Sequence, residues 1–376
     1  MNTTAYFTFI FAVFAINMVA MTGYYIFAQR RDFMTVVDRP VSCNMKHAGV
    51  IQSLFLIAAA TAFCFLDPDK EWIGENRLTM LVGCSGGFAL IGLFPVKNKI
   101  SAVLNTLLQM AGIAFAVSLL PENSAFFPPE AGLPEYADKV CAGILWFAVF
   151  RLMIRMDDLK SFTAQQGAVI GLLCVIALFM NHPLSGTFFR FSGILLPVSF
   201  ILSIFFMFGA QIPSSRVFQN VFCFAVTWVP FYMASQGRWG SAALLLTYPL
   251  LEITAYCCRF FYGFLMKIKP EFLFESLENK GVPAVFIVRF IFRRNLLMGG
   301  LWLLSLQASL QYQPVVLAAL FMLDSYIRIV SPSKKDTSLK TLFTDMASDA
   351  KKGFKETNKA FSDLKEKYKS KRDKSE

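Results

Sequence analysis

Histidine, charge and paired cysteines are what this chain lacks. It has 2 histidines (His47 and His182) in 376 residues, and only 16% of its positions are charged, against about 25% in an ordinary soluble domain. So few charges exclude a domain that covers itself with water-facing groups. There are 8 cysteines, but no C-x-x-C pair. Those from Cys64 to Cys258 fall in apolar runs, and only Cys43 falls in a loop. A structural zinc site or a disulfide framework has no ligand set to build on, so the cysteines read as small buried hydrophobes. No soluble domain interrupts the apolar runs.

What is there is apolar. Hydrophobic residues make up 56% of the chain, Phe alone fills 41 positions, and the mean hydropathy is +0.52. Runs long enough to cross a bilayer lie at about 5–28, 49–66, 78–95, 102–120, 140–156, 163–181, 192–212, 220–236, 240–265, 295–311 and 313–330. The pattern predicts an all-α polytopic membrane protein with about eleven transmembrane helices over residues 1–330. The first run starts near Ala5 without a basic n-region or an A-x-A site, so a retained span is expected rather than a cleaved signal. Alternate loops differ in Lys and Arg. One set runs from Arg30, Arg31 and Arg39 through Lys97, Lys99, Lys160 and Arg216 to Lys267, Lys269 and Lys280. The other holds Lys70, Arg77, Lys139, Arg190 and Arg238. The richer set is expected to face the cytoplasm, with the N-terminus outside and the C-terminus inside.

Composition shifts at Ser331-Pro332-Ser333. The tail, 331–376, carries 13 Lys/Arg against 8 Asp/Glu, a net +5 of the chain's +11. Its apolar residues, Leu339, Phe343, Met346, Ala350, Phe354, Phe361, Leu364 and Tyr368, recur at helical spacing. A basic amphipathic cytoplasmic helix is expected. It is solvated, lies on anionic lipid of the inner leaflet, or binds a partner protein. Nucleic acid is not expected as a partner.

Charged groups at or near membrane depth are costly, so they mark candidate sites. On the expected cytoplasmic side stand Val37-Asp38-Arg39-Pro40 and Lys46-His47-Ala48-Gly49, then Lys97 and Lys99. Arg151 and Arg155 end a span just before Asp157-Asp158. Arg216 follows, then Arg259 with Glu271, Glu275 and Glu278. Basic residues facing a few carboxylates suit a phosphate held with a divalent ion, and they suit an ordinary positive-inside signal equally. The Asp157-Asp158 pair reads either as a Mg²⁺ site or as the cap of the next helix.

In order and framing these loops resemble the polyprenyl-phosphate N-acetylhexosamine-1-phosphate transferase superfamily (phospho-N-acetylmuramoyl-pentapeptide transferase-like, glycosyltransferase family 4). Its members move a sugar 1-phosphate from a UDP-sugar onto a lipid phosphate. Asp38-Arg39-Pro40 with Lys46-His47 is similar to the family's D-x-P…K-x-H. Gly92-Leu93-Phe94-Pro95-Val96-Lys97 with Leu108-Gln109 resembles G-L-x-D-D…L-x-x-Q, with Pro95-Val96 where the two acids belong. Arg151…Asp157-Asp158…Lys160 follows N-x-x-N-x-x-D-G-x-D-G, keeping one family carboxylate, Asp157. After Arg216, Asn220 to Phe224 stands where G-D-x-G-S is expected. Pro249-Leu250-Leu251-Glu252 is similar to P-L-x-D and is followed by Arg259. The H-x-H-H positions hold Phe272, Phe274 and Glu275. The resemblance covers about residues 1–311.

The resemblance implies Asp157 and Asp158 as catalytic carboxylates, with Asp157 ligating Mg²⁺ if the protein is active. Lys46, His47, Lys97, Lys99, Arg151, Arg155, Arg216 and Arg259 are implied around the substrate. It also implies a bacterial inner membrane, with membrane lipids, polyprenyl phosphate, a UDP-sugar and an envelope-assembly protein as partners. Phosphoryl transfer depends on a metal ion and the acids that hold it, and most of those acids are missing. The pattern points to a degenerate, non-catalytic relative that binds lipid phosphate or serves as a subunit in envelope-glycan assembly. The alternatives are an active UDP-sugar:polyprenyl-phosphate transferase with a relocated metal site, and an unrelated transporter or scaffold. Gly86-Gly87 and Gly299-Gly300 would be helix breaks in a transporter or packing contacts. Loops of a transferase-like scaffold should meet in one place.

Overall fold

The computed structural model describes residues 3–33, 47–66, 77–96, 98–120, 126–127, 132–157, 162–180, 186–207, 215–266, 272–279, 284–307, 315–316 and 318–319. Among them there is no strand. The helices are α1 (Thr3–Phe33), α2 (Ala48–Leu66), α3 (Arg77–Leu93), α4 (Lys99–Ser118), α5 (Glu135–Met156), α6 (Phe162–Phe179), α7 (Gly186–Gly193), α8 (Leu195–Met207), α9 (Arg216–Ser235), α10 (Trp239–Leu245), α11 (Thr247–Met266), α12 (Leu273–Asn279) and α13 (Ala284–Gln307).

Within α1, α2, α4, α6 and α9 lie 5 helical stretches long and apolar enough to cross a membrane. The pair α10 and α11 meets the same test as one span broken by 81°. Each apolar run from 5–28 to 295–311 therefore coincides with a helix or a helix pair, yet fewer than eleven qualify as spans. The physical reason is visible in two of the others. Helix α5 carries Glu135, Asp138, Lys139, Arg151 and Arg155, and α13 carries Arg289, Arg293 and Arg294 in its first half. Of the run 313–330, residues 315–316 and 318–319 are described, and they are helical. The tail helix expected within 331–376 lies outside the described residues.

Helix α9 is the hub, packed on α2, α3, α5, α6 and α10. Aromatic rings fill the space around it. Trp146 of α5 stacks on Phe224 (centroids 5.9 Å apart) and Phe231 (5.0 Å) of α9. Phe88 of α3 closes on Phe224 at 4.6 Å. The indole N–H of Trp146 donates to the Thr227 hydroxyl at 2.8 Å, which in turn donates to the Cys223 carbonyl at 2.7 Å. Offset stacking of this kind adds about 0.5–1.5 kcal/mol per pair to the burial itself. At the start of α9 the α3 backbone comes so close that a Cβ on Gly92 would stand 2.6 Å from Val217 Cα. Only glycine fits there. A Cβ on Gly299 of α13 would reach Leu173 of α6 at 2.8 Å, so that glycine serves close helix packing.

Buried amides lock other pairs. Asn17 of α1 and Gln52 of α2, both 0% exposed, exchange two hydrogen bonds of 3.0 and 2.8 Å. The Asn295 amide of α13 donates to Gln166 of α6, whose own amide donates to the Leu245 carbonyl at 3.4 Å. The loop before α5 is held by Asp138, whose carboxylate accepts the backbone N–H groups of Phe126 (2.8 Å) and Phe127 (3.0 Å).

Candidate functional site at the Arg155 end of helix α5

Helix α5 ends in Arg151-Leu152-Met153-Ile154-Arg155-Met156. Leu152, Met153 and Met156 are buried, so the other side of this last turn faces outward and carries both arginines. Arginines four residues apart share one helix face.

Each guanidinium meets different elements. Arg151 Nη1 donates to Gln109 Oε1 of α4 at 2.8 Å, and Gln109 Nε2 donates to Asn220 Oδ1 of α9 at 2.8 Å. The two amides are 2% and 3% exposed and satisfy one another beneath the arginine. Arg155 Nη2 lies 2.5 Å from Glu275 Oε1 of α12, and its guanidinium sits 5.1 Å over the Phe272 ring. The other oxygen of Glu275 accepts the Phe272 backbone N–H at 3.1 Å, in the manner of a capping-box carboxylate. One carboxylate thus starts α12 and holds Arg155.

The 272–279 segment is tied down from beneath as well. Glu252 of α11 is 0% exposed, and its Oε1 accepts from the Tyr248 hydroxyl at 2.5 Å and from the Phe274 backbone N–H at 3.2 Å. Phe272 stacks between Tyr256 (4.4 Å) and Phe274 (5.7 Å). A buried carboxylate is tolerated where hydrogen bonds satisfy it, and Glu252 anchors the segment that faces Arg155.

Asp157 caps α5 and is 3% exposed. Its Oδ1 accepts the backbone N–H of Thr163 near the start of α6, at 3.2 Å. That bond is a helix-cap contact at the start of α6. Below it, Thr163 Oγ1 lies 3.6 Å from Cys223 Sγ of α9. Among the described residues no group of three or more His, Cys, Asp or Glu side chains converges as a metal site.

Of the other predicted residues, His47 and Arg216 stand at helix ends that pack together, where a Cβ on Gly49 would meet Phe218 at 2.9 Å and Ser215 Oγ at 3.2 Å. His47 is exposed just before α2, and its backbone N–H donates to the Tyr24 hydroxyl of α1 at 3.0 Å. Lys99 opens α4 and Arg216 opens α9, both exposed. The backbone of Arg259 lies in α11. Lys46, Lys97 and Asp158 lie outside the described residues. The predicted set omitted Gln109, Asn220 and Phe272 as site members and held Glu275 only among the charged residues that follow Arg259. Their signal was position in the family-like frame, and for Gln109 and Asn220 also an amide inside an apolar run.

Chemically, the arrangement presents two outward guanidinium groups. Among the described residues, the one hydrogen bond of Arg151 uses a single donor of the five a guanidinium has. Arg155 is 57% exposed along its side chain and Glu275 22%, so solvent screens their pair to about 0–1 kcal/mol. An incoming phosphate can exchange with that carboxylate at small cost.

No protein-family model matches the chain, and no curated protein matches it.

Proposed function

We propose that this protein is a membrane-embedded, non-catalytic relative of the polyprenyl-phosphate sugar-1-phosphate transferases that binds a lipid phosphate at Arg151 and Arg155. One observation supports the reading above the others. Four segments that correspond in order to four successive family motifs, those of Gln109, Arg151–Asp157, Asn220 and Glu252–Glu275, meet around one helix end.

The chemistry at that point favours binding without transfer. Where the frame puts acids, this chain has Pro95-Val96 in its second loop and no acid between Asn220 and Phe224. The aligned Asp157 is taken up by the start of α6. A planar guanidinium pairs with two phosphate oxygens at once, so the positive charge opposite the phosphate is the chain's own. The side on which the site opens is the cytoplasmic one in this reading, where the basic loops lie, and the membrane is the inner membrane of a bacterial-type envelope.

The test is binding and turnover measured on the same purified full-length protein in lipid nanodiscs. Undecaprenyl phosphate should bind saturably. Arg155→Ala should weaken it by roughly tenfold to a hundredfold, as expected for losing about 1.5–3 kcal/mol of charge-assisted hydrogen bonding. With UDP-N-acetylhexosamine and Mg²⁺ or Mn²⁺ added, UMP release should stay at the protein-free blank. Metal-dependent UMP release that vanishes in Asp157→Asn would overturn the reading and make the protein an active transferase.

A further inference from the structure

Helix α13 turns an exposed stripe outward: Phe292 (37% exposed), Arg293, Leu296 (48%) and Leu297 (58%). Phe292 and Leu296 form one wall of a groove of about 630 Å³ whose other walls come from α1, α6 and α8. Phe11 and Phe14 of α1, Leu172 of α6 and Phe200 of α8 line it, and every lining residue is apolar. That size lies within the ~300–1,000 Å³ typical of small-molecule sites.

The level of Arg293 relative to the groove follows from two contacts. Asn295 bonds Gln166, and Gly299 packs on Leu173, so α13 and α6 run parallel with 295 beside 166 and 299 beside 173. Arg293 is therefore level with the first turn of α6, which begins at Phe162. The 18 residues of α6 rise about 27 Å, close to the ~30 Å apolar thickness of a bilayer. The Phe162 end thus marks a border of the apolar layer, and Arg293 stands at it. Leu172 lies about 15 Å deeper, one leaflet's share.

A cation at the border above an all-apolar trough one leaflet deep suits one class of ligand. A phospholipid with an anionic headgroup sets its phosphate against the guanidinium and its acyl chain along the trough. A zwitterionic lipid offers the same chain, but its own cation opposes Arg293. We propose that α1, α6, α8 and α13 form a site for an anionic membrane phospholipid, with the phosphate on Arg293 and one acyl chain in the groove beside Leu172. This site is separate from Arg151 and Arg155 and does not rest on the function proposed for them.

The experiment is native mass spectrometry of the full-length protein, delipidated in detergent and given equal amounts of dioleoyl-phosphatidylglycerol and dioleoyl-phosphatidylcholine. The expected result is retention of phosphatidylglycerol at about fivefold over phosphatidylcholine, the effect of one basic residue at a lipid surface. Arg293→Gln brings the ratio to parity, and Arg293→Lys keeps most of the preference. Leu172→Trp fills the trough and lowers retention of both lipids. Equal retention by the wild type overturns the proposal without recourse to any variant, as does a preference that survives Arg293→Gln. A lipid-free dimer dispersed by Leu172→Trp also overturns it and assigns the groove to a second copy of the chain.

Discussion

Helices α4 and α9 are each 20 residues long, and the more apolar of the two is the one on the outside. The span in α4 is the more apolar, yet only 22% of it is buried against 94% of that in α9. A protein folding in water would sort them the other way, because burying apolar surface is its main driving force. In lipid the outward face gains nothing from polarity, and polar groups go where a partner can satisfy them. Helix α9 accordingly carries Asn220 and Thr227, each hydrogen-bonded to a neighbouring helix. Helix α4 turns Ile100, Val103, Leu104 and Leu107 outward. What places each helix is whether a neighbouring helix can satisfy its polar groups.

Three substitutions put that contrast at risk. The largest effect is expected at the hub. Phe224→Ala removes the ring that Trp146 and Phe88 stack on and should destabilise the protein by about 3–5 kcal/mol, read as a lowered unfolding midpoint in detergent. Next comes the outer helix. Leu107→Lys, mid-helix and half exposed, should cost about 2.5–3.5 kcal/mol of membrane insertion, measured by a translocon-insertion assay of the α4 segment. An effect within about 0.5 kcal/mol, as for an aqueous surface, would mean that α4 faces water. The smallest is Thr227→Val, which keeps the shape but strands the Trp146 indole N–H. It should cost about 1–3 kcal/mol, checked by the same unfolding midpoint.

Much of the fold was legible in the sequence because span length and apolarity are read directly from the order of residues. Helix boundaries at Ala48, Arg77, Lys99 and Phe162 fall within a few positions of the apolar runs. The break between α10 and α11 was not legible. Residues 240–265 read as one apolar run, and the 81° bend occurs around Leu246, three residues before Pro249, which has no N–H to return to the Leu245 carbonyl; apolarity alone hides that signal. Whether an apolar stretch spans alone or inside a hub is also invisible locally, since α4 and α9 look alike until their neighbours are known.

The site divides the same way. Arg151 and Arg155 stood out as basic residues closing a span. Their partners did not, because Gln109 is 42 positions from Arg151 and Asn220 is 111 from Gln109, distances that only tertiary packing closes. Asp157 shows a subtler limit. It accepts from Thr163, six positions on, beyond the two or three residues over which an N-cap side chain ordinarily reaches. Sequence spacing therefore gave no way to name the partner of Asp157.

The amide pair of Asn17 and Gln52 has a consequence for assembly. Helices α1 and α2 are greasy and featureless along much of their length, so sliding one past the other by a turn exchanges one set of methyl contacts for another. Such a slip would leave two carboxamides facing hydrocarbon, at a cost of several kcal/mol. The pair works as an index mark on two otherwise smooth rods, as a buried asparagine does in a coiled coil. It lets one pair of side chains specify the alignment of this first hairpin.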